Sequence, residues 1–165
     1  MAKKSKVKKL ILRLILIVLM VVVLFYNPVS LRLMTLGFAI YYKLDPGIFY
    51  RLVGAESSFR SFAVSSQQAI GLGQIKEDTA GYVNEKHKRG LLFLPFYNLK
   101  ISALYLQYLL KRYDNNWSLA LAAYNWGETN VDKRIKGKTI LPAKNYTDLF
   151  SDIPETRMFI SKIIK

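Results

Sequence analysis

One glutamate in this sequence has neighbours that turn it into a candidate acid. Glu56 closes an apolar stretch, Arg51-Leu-Val-Gly-Ala-Glu56-Ser-Ser-Phe59, one turn after Leu52. A carboxyl group set against an apolar wall resists ionisation, because its charged form loses hydration that nothing replaces. Held protonated near neutral pH, such a group can donate a proton to a leaving oxygen, for instance that of a glycosidic bond. Other chemistries lack their parts. The chain has no cysteine, which excludes disulfides, thiolate metal sites and cysteine nucleophiles. Its one histidine, His87, stands in the charged stretch Glu85-Lys-His-Lys-Arg89, read as a surface loop. Neither a zinc site nor a Ser-His triad can be built around it. Gly71-Leu-Gly73 has no following Lys-Ser/Thr and no preceding strand, so it is not a phosphate-binding loop. No metal and no cofactor is expected.

An acid on a helix is useful only if the helix is held. Asp45-Pro46 supplies an N-cap and a preorganised first helical position for a helix carrying Ile48, Leu52, Ala55 and Glu56. From Asn98, the apolar positions Leu99, Ile101, Ala103, Leu104, Tyr105, Tyr108 and Leu109 follow three- and four-residue steps, the pattern of a helix facing a core. Asn116 can cap another from Trp117 to Trp126, stopped by Gly127. A last helix starts near Pro154 and uses Thr156, Phe159, Ile160 and Ile163. Leu31 to Tyr42 is apolar and fits either a helix packed on the domain or one lying in a membrane interface. Alternating strand patterns are weak, which leaves at most a short hairpin between Ile75 and Leu94.

The chain has 165 residues, with 25 Lys and Arg against 11 Asp and Glu, a net charge of +14. Its hydrophobic content of 52% excludes an intrinsically disordered chain. Six of the basic residues, Lys3, Lys4, Lys6, Lys8, Lys9 and Arg13, fall within the first 13 positions with no acid among them. An almost wholly apolar run follows from Leu10 to Phe25-Tyr26, interrupted only by Arg13. At a rise of ~1.5 Å per residue it nearly matches a hydrocarbon core. No small-x-small cleavage motif comes after it, so it reads as an uncleaved anchor with the lysines in the cytoplasm and the remainder across the membrane. The expected segments are a basic segment at 1–9, a membrane-spanning anchor at 10–26, an apolar juxtamembrane segment at 27–42 and a catalytic domain at 43–165. From residue 14 onward, 19 basic against 11 acidic residues leave an excess of +8. The charge suits a weak, salt-screened attraction to an anionic polymer or surface. With no recognition motif in the domain, nucleic acid is not expected as a partner.

The motifs fall in an order that points further. Glu56-Ser-x-Phe59 is followed by Ala63, Ser65, Ala69, Gly71-Leu72, Gln74 and Thr79-Ala80, then by Asn98 and Tyr105-Leu106. Ala120-Leu-Ala-Ala-Tyr124-Asn125-Trp-Gly127 and Ile153-Pro-Glu155-Thr-Arg157-Met-Phe159 come last. Together these resemble the bacterial lytic transglycosylases of the soluble lytic transglycosylase (SLT) family, whose fold is goose-lysozyme-like. The resemblance covers roughly residues 43 to 164. It implies a mainly α, lysozyme-like catalytic domain of the α+β superfamily, here preceded by one transmembrane helix. It also implies a lyase that cleaves the bond between N-acetylmuramic acid and N-acetylglucosamine in peptidoglycan and closes a 1,6-anhydro ring. Glu56 would serve as the single acid and base, with Ser65, Gln74, Tyr124 and Asn125 binding substrate. Ser65 and Gln74 would hydrogen-bond Glu56 or the sugar amide, Tyr124 would stand near the acetamido group, and Asn125 would order its helix. Glu155 and Arg157 could contact the glycan or pair with each other. The implied partners are peptidoglycan strands, and membrane lipid around the N-terminal helix.

Ordinary glycosidases use two carboxylates. Glu77, Asp78, Asp114, Glu128 and Asp132 are available here, but none stands in a recognisable partner motif. The chain also departs from the family pattern. Gln68 replaces a glycine, Gly73 a methionine, Glu77 a proline and Phe159 a tyrosine. Loss of the methionine is expected to leave room beside the sugar. Two other readings stay open: a hydrolytic goose-type lysozyme with the same acid, and a non-catalytic peptidoglycan-binding protein with the same fold.

Overall fold

Capping residues set most of the helix boundaries. The computed structural model describes residues 2–164. Met1, which opens the expected basic segment, and Lys165, which closes the expected domain, lie outside the described residues, as do the side chains of Lys3 and Lys4. In chain order the helices are α1 (Ala2–Tyr26), α2 (Pro28–Tyr41), α3 (Pro46–Ser57), α4 (Glu77–Val83), α5 (Pro95–Arg112), α6 (Trp117–Trp126), α7 (Glu128–Ile135) and α8 (Pro154–Ile163). Short 3-10 turns occupy Arg89–Phe93 and Thr147–Phe150. Asp45 accepts the Ile48 amide at 2.7 Å to open α3, and Asn116 accepts that of Leu119 at 3.0 Å to open α6. Proline takes an early position in α2, α3, α5 and α8, where its missing N–H costs nothing. Pro95 carries α5 back one turn beyond Asn98.

The core is built around α6. Leu119 to Ala123 are all fully buried, so this helix is apolar on every side and is covered by α5, α7 and α8. Phe49, Leu52 and Val53 bring α3 into the same cluster, joined by Leu99, Leu106 and Leu109 of α5 and by Ile160 and Ile163 of α8. The Leu31, Thr35 and Ala39 face of α2 is buried too, against α3 and α5. α1 stands apart: Lys6–Tyr26 has a mean hydropathy of 2.7, no burial, and length enough to cross a membrane.

The α+β expectation is overturned. Among the described residues there is no strand, only two isolated antiparallel bridges, Val64 with Ile70 and Ile70 with Ile75. The segment 58–76 turns too sharply for a ladder, with positive φ at Ser58, Phe59, Gln68, Gly71 and Gln74. Its backbone groups bond locally or to a side chain instead. Asn98 donates to the carbonyls of Ile70 (2.8 Å) and Leu92 (2.9 Å) and accepts the Gly73 amide (2.8 Å). Gly71 is required here, since at φ +77 a Cβ would lie 2.3 Å from the Asn98 amide nitrogen. The hairpin allowed between Ile75 and Leu94 is also absent, and α4 and a 3-10 turn take its place. α4 and α7 are too short and polar to show a clear apolar period.

Candidate active site

Glu56 lies in the last turn of α3. The helix ends immediately after it, where Ser58 donates its amide to the Gly54 carbonyl at 3.1 Å and Ser58 and Phe59 both take left-handed conformations. The carboxyl therefore faces a cavity of about 540 Å³ instead of a following helical turn. One wall comes from the 65–76 segment, with Ser65, Ala69, Gln74 and Ile75. The other comes from Tyr124, Asn125 and Trp126 at the end of α6, with Ile153, Glu155 and Thr156 at the start of α8.

Burial pushes the Glu56 carboxyl up to about 8, and the nearby Glu155 carboxylate adds to the rise. The negative pole of α3 lies at the same end and works in the same direction. Among the described residues no hydrogen bond reaches this carboxyl that could hold its charged form. The group is thus protonated at neutral pH.

Ser65, Gln74, Tyr124 and Asn125 are brought together around it, but each is tied first to the protein. The Ser65 hydroxyl accepts the amides of Gln67 (3.2 Å) and Ala69 (3.1 Å), holding the turn and keeping its own proton to donate. Gln74 donates to the carbonyls of Gly71 (2.9 Å) and Ala63 (3.4 Å), which leaves its amide oxygen for a ligand. Neither bonds Glu56, contrary to one expected role. Tyr124 donates to the Gly73 carbonyl at 2.8 Å, and burial, followed by the Glu56 charge, raises its hydroxyl well above the ordinary value. It stays a neutral donor whose oxygen can still accept from a ligand N–H. Asn125 accepts the Thr156 hydroxyl at 2.8 Å and so joins α6 to α8.

Glu155 and Arg157 part company. Glu155 lines the cleft, whereas Arg157 points away from it and pairs with Asp148 at 3.1 Å, so the two do not pair with each other. Two residues apart, they lie about 200° from each other around α8, and only the placement of that helix decides which face meets the cleft. None of the five carboxylates weighed as a second group lines the cavity. Glu77 pairs with Arg89, and Asp132 with Arg112 and Tyr113. Glu155 is the residue that sequence reasoning missed in this role, although its place in the closing motif marked it.

The vacated methionine position leaves no room. A Cβ at Gly73 would lie 2.0 Å from the Ser102 hydroxyl and 2.9 Å from that of Tyr124, so polar groups from α5 and α6 fill the space. His87 also differs from expectation: it is half-buried, stacked on Tyr97 and sharing a hydrogen bond with its hydroxyl at 3.0 Å, and does not line the cleft.

Comparison with known proteins matches this geometry to a family. Residues 39–147 match the family described as the transglycosylase SLT domain. A Haemophilus influenzae protein assigned as a soluble lytic murein transglycosylase is 32% identical over 119 residues, covering 66% of this chain and 19% of its own length. The membrane-bound lytic murein transglycosylase C of Photorhabdus laumondii is 29% identical over 150 residues, covering 76% of this chain and 42% of its own. Among solved structures, an inactive mutant of the lytic transglycosylase Slt from Pseudomonas aeruginosa superposes with a TM-score of 0.68 at 28% identity, over 79% of this chain and 22% of that one. The 70 kDa soluble lytic transglycosylase of Escherichia coli shares the fold, with a TM-score of 0.65 at 24% identity over 76% of this chain and 22% of its own. The chain therefore spans less than half the length of each of these relatives. With the family match covering most of the chain and Glu56 inside the matched residues, the chain belongs to the transglycosylase SLT domain family.

Proposed function

We propose that the chain is a membrane-anchored lytic transglycosylase that cleaves the β-1,4 bond from N-acetylmuramic acid to N-acetylglucosamine in peptidoglycan. The observation that carries this reading is Glu56, a carboxyl on the cleft floor whose burial keeps it protonated up to about pH 8. Such a group protonates the leaving glycosidic oxygen. The acetamido group of the muramic sugar stabilises the positive charge that develops at C1, with its N–H toward the Tyr124 and Gln74 oxygens. Glu56, now ionised, takes the proton from the sugar's 6-hydroxyl as that oxygen bonds to C1. The products are a 1,6-anhydro sugar and a free 4-hydroxyl, with no water consumed. A single residue thus acts as acid and then base. This accords with the Pseudomonas relative, described as an inactive mutant in which one glutamate is replaced by glutamine.

In this reading Ser65, Gln74, Tyr124 and Asn125 bind or position the substrate, and α1 anchors residues 43–165 outside the cytoplasmic membrane with the lysines inside. The apolar length of α1 and the membrane-bound Photorhabdus relative support the anchor. A second reading is favoured by one observation: Glu155 faces the same cleft and could serve as base for a water, giving hydrolysis instead. Digestion of purified sacculi decides between them. Mass spectrometry should find anhydromuropeptides, absent with Glu56→Gln. Products heavier by one water would establish the lysozyme reaction, and an unchanged sacculus would leave a binding protein.

A further inference from the structure

α1 is not the only apolar surface without a protein partner. α2 carries two apolar stripes on opposite sides. Leu31, Thr35 and Ala39 face the domain and are buried. Val29, Leu33 and Ile40 lie roughly opposite and are 63%, 63% and 68% exposed. With half-buried Leu36 they fall within about 60° of one another around the helix axis. Arg32 is the one charged residue in α2. A helix that is apolar on both sides, with only one of them packed, calls for a second apolar medium.

We propose that the Val29, Leu33, Leu36 and Ile40 stripe beds into the interfacial layer of the membrane that α1 spans, clamping α2 between lipid and the catalytic domain. This rests on the anchored reading of α1. A single residue, Asn27, separates the two helices and caps both. Its amide donates to the carbonyls of Val23 (2.6 Å) and Leu24 (3.2 Å) at the end of α1. Its oxygen accepts the amides of Val29 and Ser30, each at 3.0 Å, at the start of α2. The corner is thus hydrogen-bonded on both sides, and α2 begins where α1 leaves the hydrocarbon. Aromatic rings brace the junction: Tyr26 stacks on Phe62 at 5.3 Å and Phe25 meets Phe96 at 5.5 Å, all suited to the headgroup level.

Charge selects lipid over a second copy of the chain. A groove beside the stripe, shared with Tyr50 of α3, carries Arg32 and Arg51. Asp45 is the one acidic residue in the first 55. Two such faces meeting would bring like charges together, whereas anionic headgroup phosphates complement them. Held in this way, the cleft keeps a fixed height above the bilayer, and the enzyme acts on strands close to the membrane.

The absence of cysteine makes the test direct. Full-length protein carrying Leu33→Cys or Ile40→Cys is labelled with a fluorophore and reconstituted in phosphatidylethanolamine and phosphatidylglycerol vesicles containing brominated lipid. Val18→Cys in α1 and Thr129→Cys on exposed α7 serve as references. Labels at 33 and 40 should be quenched several-fold more than the label at 129. If 18 is quenched while 33 and 40 match 129, the proposal is overturned and the anchor stands. If 18 is also unquenched, the anchored reading fails and the proposal with it. Labels at 33 and 40 that are shielded from water, unquenched by bromine and released on dilution of the protein in lipid would assign the face to a second copy, against the proposal.

Discussion

The two walls of the cleft share apolar burial but differ in how far they depend on directed hydrogen bonds. On one side α6 is ordered by burial, with Leu119 to Ala123 wholly enclosed by apolar neighbours. On the other, residues 58–76 also bury Ile70, Leu72 and Ile75, but they contain no helix beyond a turn, take five positive φ angles, and depend in addition on directed hydrogen bonds, two of them to Asn98. Apolar packing is graded, so it tolerates changes that preserve volume and pattern. A buried polar network is less forgiving, because each lost partner strands a group without water. The arrangement suits the chemistry. The apolar elements keep Glu56 poorly hydrated, and the 58–76 segment sets Ser65 and Gln74 on the cleft wall.

The largest effect should come from the residue between the walls. Glu56→Gln should lower sacculus cleavage by about a thousandfold, within the range of general acid catalysis. The same variant also reports on the wall that buries it. Glu56 titrates near 8 when folded against an ordinary 4.5, so its cost to folding is absent below about 4.5, grows as pH rises and is complete above about 8. The stability gain of Glu56→Gln over the native chain should therefore widen across that interval. A gap independent of pH in denaturant titrations would mean that the apolar wall does not set the acid.

Asn98→Ala should be the next most severe, at about 3–5 kcal/mol, since it leaves the Gly73 amide and the Leu92 carbonyl without their side-chain partner and removes one of the two donors to the Ile70 carbonyl. Leu119→Val in α6 should cost roughly 1 kcal/mol by the graded rule. Equal losses in urea unfolding would erase the contrast between the walls. Gly73→Ala tests their contact more locally. It should cost about 1–3 kcal/mol from overpacking against Ser102, and Ser102→Gly should recover most of that loss. Additive costs would show that the two positions do not compete for space. The smallest change should be Glu155→Gln, which removes a charge that holds Glu56 up. The alkaline limb of the pH–rate profile should move to lower pH, with little effect on kcat well below that limb. A limb that stays in place would remove Glu155 from the electrostatics of the acid.

Much of the helical wall was legible beforehand. Asp45-Pro46, Asn116 and Gly127 mark their helices through bonds to residues three or four positions away, and the apolar steps of α5 and α8 repeat at the helical period. The polar wall was not legible. Val64, Ile70 and Ile75 form single antiparallel bridges, but the left-handed turns at Gln68, Gly71 and Gln74 stop these from growing into a ladder, and the Asn98 side chain that secures Ile70 and Leu92 comes from α5. Gly73 shows the same limit. Its departure from the family pattern was visible, but the Ser102 and Tyr124 hydroxyls that fill the gap belong to other helices.

What the sequence alone determined was local or repetitive: an apolar N-terminal run, the capped helices, and a glutamate placed at the end of one of them. Each follows from interactions within a few residues, or from a periodic pattern that reads the same in any surroundings. Tertiary structure decided the rest. It placed Glu155 in the cleft and Arg157 outside it, brought Asn98 of α5 onto the loop that holds Ile70 and Gly73, and left one apolar face of α2 unpacked. These outcomes depend on which helix faces meet, and an unordered chain supplies no partner until the helices have docked.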